Sequence, residues 1–233
     1  QAEMSALAEA GAFLLKASRR DLAWASVRRL SAGTTVGGTL ALAHAAGIKV
    51  FATGGIGGVH QGAASTFDVS SDLVELGRTP VAVVATGFKI ILDLPKTLEA
   101  LETLAVPVVG WQCDELPGFY LRTCGLRLEQ RVDSMEEAAR LVRGHWQAGG
   151  QGLLLVQPPP RALDWQLEEM ERVLAGLETE AQERGILGKA VTPFLLERLA
   201  QISQGATLAV NQELIVANAA RAAELAVALA QAG

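Results

Sequence analysis

Aromatic side chains are scarce in this chain, at 5% of 233 residues, and tyrosine occurs once. Alanine, leucine, valine and glycine dominate instead. That texture belongs to an α/β enzyme rather than to a disordered chain. Cysteine is nearly absent. Cys113 and Cys124 are too few for a disulfide framework in a chain this long, so a reducing compartment, the cytoplasm, is expected. Histidine is just as sparse. None of the three lies within ten residues of either cysteine, which argues against a Cys/His metal site. No apolar run reaches a membrane span; the best, Val81 to Leu94, is broken by Lys89. Positive charge is not in excess. The formal net charge of −5 repels phosphate backbones at long range, so no nucleic-acid partner is expected. A local site can still oppose that charge and take a small phosphorylated ligand. The first residues carry no basic segment ahead of their apolar part, unlike a secretory signal, and they do not begin with methionine. The expectation is a fragment or processed form of something longer.

What is present is alternation. "IKVFAT" (48–53), "PVAVVAT" (80–86), "VPVVG" (106–110) and "GLLLVQ" (152–157) are almost continuously apolar, as strands covered on both faces must be. Helical patterns over 34–47, 93–104 and 134–150 lie between them, the last with Ser134 and Glu137 as a capping box and Gly149 as a stop. The C-terminal third is helical over 163–185, 192–205 and 211–233, with Thr192 and Pro193 reading as a helix start. The pattern predicts one α/β domain. A largely parallel or mixed sheet lies between helical layers, with a helical layer at the C-terminus.

The chemistry concentrates in "ATGGIGGVHQGAASTFDVSSD" (52–72). Glycines at 54, 55, 57 and 58 permit positive φ and close backbone approach, either by a ligand's phosphate or sugar or in a tight crossing of the chain. The spacing fits neither a dinucleotide fingerprint nor a Walker A loop. His60 follows at the carboxyl end of a strand, where α/β sheets bind ligands. Asp68, Ser70 and Asp72 offer oxygen ligands suited to a hard cation such as Mg²⁺ or Mn²⁺. The alternative is a helix start with Ser70 or Ser71 as cap and Asp72 near the positive end of the dipole. The two carboxylates would share a face whether the segment is helical or extended. Lys89 stands in "VAVVATGFKIILDL", where lost hydration lowers an amine's pKa and frees it as a nucleophile. It would otherwise snorkel to the surface or pair with a carboxylate. Lys16, in a basic cluster, is a solvated residue or part of a phosphate clamp. Asn211 reads as the N-cap of the last helix.

These stretches together resemble the pseudouridine-5′-phosphate glycosidases, the indigoidine synthase A-like family. The resemblance runs in order through "KASRRDL", "TTVGGTLALAHAAGIKVFATGGIGGVHQGAASTFDVSSDLVELGRTPVAVV", "TGFKIILDLPKTLEALET", "DELPGFYLRT", "GKAVTPFLLERLA" and "LAVNQELIVANAARAAELA". It implies an α/β/α fold, a homotrimer, and reversible cleavage of the carbon–carbon bond between ribose 5-phosphate and uracil. It implies Lys89 as the covalent nucleophile at C1′. Asp68 matches a manganese-linked aspartate. Ser70, Ser71 and Asp72 match substrate-binding positions. Lys16 and Val36 match sugar-phosphate contacts, and Thr53, His60 and Asn211 match other pocket residues. The family's acid, a glutamate, belongs to a segment ahead of the matched residues, so none in this chain is assigned that role. The family pattern A-G-x-K-S reads Thr86-Gly87-Phe88-Lys89-Ile90 here, and Gln157-Pro158 replaces Asn-Pro. The leading expectation is therefore a metal-dependent glycosidase. The alternatives are a catalytically impaired phosphosugar-binding or structural homologue, and another Schiff-base lyase acting on a sugar phosphate.

Overall fold

The computed structural model describes Ser5 and residues 14–231 apart from Leu187. Most of the N-terminal stretch discussed above, and the last two residues of the expected 211–233 helix, lie outside the described residues.

Two parallel sheets form. β1 (Leu15–Ala17) pairs with β2 (Ala32–Thr34). β3 (Val50–Ala52), β4 (Ala82–Ala85), β5 (Val108–Trp111), β6 (Gln130–Val132) and β7 (Leu153–Val156) form a five-stranded sheet in the order β3-β4-β7-β5-β6. Every pairing is parallel. The four apolar runs thus account for β3, β4, β5 and β7. Strand β4 is buried along its whole length. Its side chains alternate: Val83 and Ala85 join one core, Ala82 and Val84 the other. Burial on both faces is why this strand is apolar without a gap.

Helices cover both faces. α1 (Arg19–Arg28) and α2 (Val36–Ala45) follow β1 and β2. α3 (Ala63–Thr66) and α4 (Ser71–Leu76) lie between β3 and β4, α5 (Leu94–Thr103) follows β4, and α6 (Met135–Gln147) follows β6. α7 (Leu167–Glu183), α8 (Val191–Ile202) and α9 (Ala206–Gln231) complete the chain. Leu40 of α2, Leu73 of α4, Leu101 of α5, Met170 of α7 and Leu199 of α8 pack on one face. Ala138 and Val142 of α6 pack on the other. α9 crosses between them: Val210 and Leu214 belong to the first core, Ala222 and Leu225 to the second. The C-terminal helices therefore serve both outer layers. Among the described residues no helix is long and apolar enough to cross a membrane.

Local signals explain most helix starts. Thr35 caps α2 by accepting from Gly38 N at 3.1 Å. Asp93 caps α5, and Ser134 caps α6 by accepting from Glu137 N at 3.2 Å. The expected box is half formed, because Glu137 accepts from Asp133 N, one residue earlier than predicted. Thr192 is not a cap. A 3₁₀ turn over Gly188–Ala190 feeds directly into α8 at Val191. Asn211 is not a cap either. α9 begins at Ala206, after a tight turn in which Gln204 and Gly205 both take positive φ.

Candidate active site

The loops leaving the carboxyl ends of β3 and β4 run side by side. Thr53 N donates to Val84 O and Thr86 N to Gly54 O, which prolongs the ladder past the strands. Ile56 N then donates to Gly87 O, and Lys89 N donates back to Ile56 O at 3.2 Å. Gly87 makes the turn possible. Its φ is +68°, and a Cβ there would meet Pro117 O at 2.3 Å. The chain thus reaches Lys89 by a path open only to glycine.

The glycine loop itself corrects an expectation. Glycines 54, 55, 57 and 58 do not take positive φ. Close approach is the reason for the last three, and the groups approaching are the protein's own. A Cβ on Gly55 would lie 2.4 Å from the Phe119 ring, one on Gly57 2.4 Å from Ser70 Oγ, and one on Gly58 2.5 Å from Thr97 Oγ1.

Asp72 shows the same logic. It is 4% exposed, and its two oxygens accept from Gly37 N at 2.7 Å and Gly57 N at 3.0 Å. It fastens the start of α2 to the glycine loop, and its negative charge suits the positive end of α2. Ser70 caps α4 and accepts from Asp72 N at 3.3 Å, so the expected helix start is real. Asp68 precedes α4, on a strand-like return where His60 N donates to Asp68 O. Asp68 and Asp72 therefore share neither a helix nor a strand.

One cavity of about 960 Å³ collects the candidates. Lys16, Val36, Thr53, His60, Asp68, Ser70, Ser71, Asp72, Lys89 and Asn211 all line it. Asn211 enters from the body of α9 rather than its end, with Oδ1 beside Gly54. The wall also includes Arg19 and Arg20 of the basic cluster around Lys16, together with Arg78, Phe119 and Tyr120, which sequence reasoning passed over. For the aromatic pair, the signal was an aromatic doublet after Pro-Gly in "DELPGFYLRT". Phe119 takes φ +61°, uncommon outside glycine, and meets Tyr120 edge-on at 4.6 Å.

The electrostatics centre on Lys89. Burial pushes its amine below the ordinary lysine value; Asp72 opposes that shift and Lys16 adds to it. Among the described residues nothing hydrogen-bonds or ion-pairs with this amine. Burial likewise lowers the His60 imidazole, with Asp68 opposing and Lys89 and Lys16 reinforcing. Burial thus moves both the amine and the imidazole toward their neutral forms, under a basic rim. Metal ligation has less support. Among the described residues no group of three or more His, Cys, Asp or Glu gathers to hold an ion. Asp68, half-buried at the cavity wall, offers one carboxylate, which suits a hard cation that keeps most of its water.

The departures from the family pattern do not crowd the cavity. Phe88 is fully buried and Ile90 6% exposed; both belong to the core and neither lines the site. Gln157 is also buried behind the wall, donating to Asn218 Oδ1 at 2.9 Å.

Residues 1–228 match the family described as "Indigoidine synthase A like protein". The pseudouridine-5′-phosphate glycosidase of Myxococcus xanthus (strain DK1622) is 49% identical over 231 residues, 99% of this chain and 76% of that protein. The pseudouridine-5′-phosphate glycosidase of Caldanaerobacter subterraneus subsp. tengcongensis is 48% identical over 217 residues, 93% of this chain and 71% of that protein. Among solved structures, the prealnumycin C-glycosynthase AlnA in complex with ribulose 5-phosphate superposes with a TM-score of 0.88 at 37% identity, covering 94% of this chain and 72% of that one. An indigoidine synthase A-like protein from Thermotoga maritima gives 0.85 at 36% identity, covering 93% and 71%. Fold, cavity and these matches agree: the chain belongs to the indigoidine synthase A-like family.

Proposed function

We propose that this chain reversibly cleaves the carbon–carbon glycosidic bond of pseudouridine 5′-phosphate, giving uracil and ribose 5-phosphate. The observation that carries the reading is the Lys89 amine, without a hydrogen-bond or ion-pair partner among the described residues and held toward its neutral form by burial, in the cavity at the carboxyl ends of β3 and β4. The curated relatives named for this activity support the substrate, and a neighbour holding a pentulose 5-phosphate supports the sugar class.

In the proposed reaction the Lys89 nitrogen attacks C1′, and the C1′–ring-oxygen bond breaks, that oxygen gaining a proton. A proton then arrives at C5 of uracil, and the electron pair of the C1′–C5 bond goes to the departing base. The nitrogen lone pair makes the iminium left at C1′. Water adds to it, ribose 5-phosphate leaves, and the amine is regenerated. Lys16, backed by Arg19 and Arg20 on the rim, holds the phosphate. Thr53, His60, Ser70, Ser71 and Asn211 orient the sugar and base, and the Val36 end of α2 meets the phosphosugar. Asp72 acts by holding the wall. Asp68 would hold Mn²⁺ or another hard divalent cation, which supplies positive charge beside the anionic substrate. The reading takes 1–233 as one glycosidase domain acting in the cytoplasm. The assembly proposed is a homotrimer, with the exposed Trp24 and Val27 of α1 and Leu30 just beyond it as its contact face.

Incubation with ribose 5-phosphate, Mn²⁺ and borohydride, followed by peptide mass analysis, tests the nucleophile. A reduced pentose phosphate on Lys89, absent from Lys89→Ala, is expected. An unmodified Lys89 peptide would overturn the reading. Turnover that depends on uracil in the synthetic direction then separates a glycosidase from another Schiff-base lyase.

A further inference from the structure

We infer that Asn218 is a positioning residue that fixes the nucleophile loop and the glycine loop from behind. It stands on α9, is 0% exposed, and does not line the cavity. Its Nδ2 donates to Thr53 O at 2.8 Å and to Thr86 Oγ1 at 3.0 Å, with Gly54 O at 3.4 Å. Its Oδ1 accepts from Gln157 Nε2 at 2.9 Å and lies 3.2 Å from the Thr86 hydroxyl. Thr53, Thr86 and Gln157 each follow the last residue of a strand, β3, β4 and β7, which are neighbours in the sheet. A single carboxamide thus ties three strand ends together.

Two of those ends lead into the site. Thr53 opens the glycine loop, and Thr86 precedes the Gly87 turn that delivers Lys89. The loops are themselves paired through Ile56. The height of Lys89 above the sheet therefore depends on where Asn218 holds Thr86. The anchor is itself braced. Arg221, one turn along α9, donates Nε to Gln157 Oε1 at 3.2 Å and stacks over Trp111 at 4.4 Å. An apolar side chain at 218 would strand the Gln157 amide and leave the Thr53 carbonyl and Thr86 hydroxyl short of a buried partner. Spending both ends of the amide on loop origins fits positioning better than packing alone.

This rests on Lys89 being the nucleophile, yet it can be tested without substrate. The groups that act on the amine through space are Asp72 from α4, Lys16 from β1 and His60 from the glycine-loop return. All stay in place in the variants. A slackened loop admits water to the amine, and its protonation midpoint should rise toward that of an ordinary lysine. Lys89 labelling by acetic anhydride across pH, read by peptide mass, gives that midpoint. Asn218→Ala and Thr86→Val should raise it by about 0.5–1 pH unit, while Thr86→Ser keeps the hydroxyl and the wild-type midpoint. Should Asn218→Ala fail to fold, Thr86→Val, nearly equal in volume, decides. Folded variants with a wild-type midpoint would overturn the inference, leaving Asn218 a packing residue. A raised midpoint in a protein that traps no sugar would sustain positioning and sink the proposed function. A trapped sugar with an unmoved midpoint would do the reverse.

Discussion

Replacing Asp72 by asparagine changes one atom and separates two accounts of this residue. The carboxylate is 4% exposed and accepts from Gly37 N and Gly57 N, at 2.7 and 3.0 Å. Hydrogen bonds to a charged acceptor contribute roughly 1.5–3 kcal/mol each. Asparagine can satisfy one N–H as a neutral acceptor, worth about 1 kcal/mol, and turns its own NH₂ toward the other. Part of the loss is offset, because a neutral amide is easier to bury than a carboxylate. The expected net cost is about 2–4 kcal/mol, or roughly 5–15 °C in melting temperature for a chain of this size. Thermal and urea unfolding followed by circular dichroism measure it. Loss of the charge that opposes Lys89's shift should also move that amine's labelling midpoint further down. If Asp72 instead existed to bind substrate, Asp72→Asn would melt with the wild type and show only a raised KM. That result would refute the account of Asp72 as a fastening between α2 and the glycine loop.

Other consequences follow from the same cavity. Lys89→Met should raise the melting temperature. Because the folded pKa is depressed, the unfolded chain binds the extra proton between that value and the ordinary 10.5, so wild-type stability rises with pH across the window. The variant's advantage should therefore be largest at low pH and fade above the window; a constant difference across pH would contradict burial of the amine. Gly55→Ala drives a methyl group to within 2.4 Å of the Phe119 ring, and should cost about 1–3 kcal/mol while reducing sugar trapping. Wild-type melting and trapping would show that the aromatic wall gives way freely. Burial raises the Cys113 thiol to about 11, so iodoacetamide at pH 8 should modify it only after denaturation, and fast native labelling would contradict that placement.

The sequence announced the sheet best where burial is deepest. Strands β4 and β7 appear as apolar runs because both faces are buried along their whole length, and β5 is nearly so; β3, half-buried throughout, keeps an apolar run all the same. Strands β1, β2 and β6 span three residues each, as Leu-Lys-Ala, Ala-Gly-Thr and Gln-Arg-Val, with no run to detect. Thr53, His60, Asp68, Ser70 and Lys89 were legible because they are polar residues in the loops that leave the carboxyl ends of β3 and β4. Their supports were not. Asn211 resembles a cap because helix-capping residues often precede an apolar pattern, but α9 had already started at Ala206. Gly57 looks like a ligand cradle until Ser70 and Asp72 are found against it. Asn218 gives no local signal at all, since its partners lie far away in sequence.

That distance bears on how the protein is made. Asn218 meets Thr53 across 165 residues and Thr86 across 132. During synthesis from the N-terminus, every strand of the main sheet leaves the ribosome before α9 does. Until α9 docks, the strand ends are untied and the Lys89 amine stays hydrated and protonated. A protonated amine does not condense with the aldehydes of free sugars. The nascent chain thus holds Lys89 as an ordinary hydrated lysine, and the docking of α9 completes the ties behind the loop that buries it.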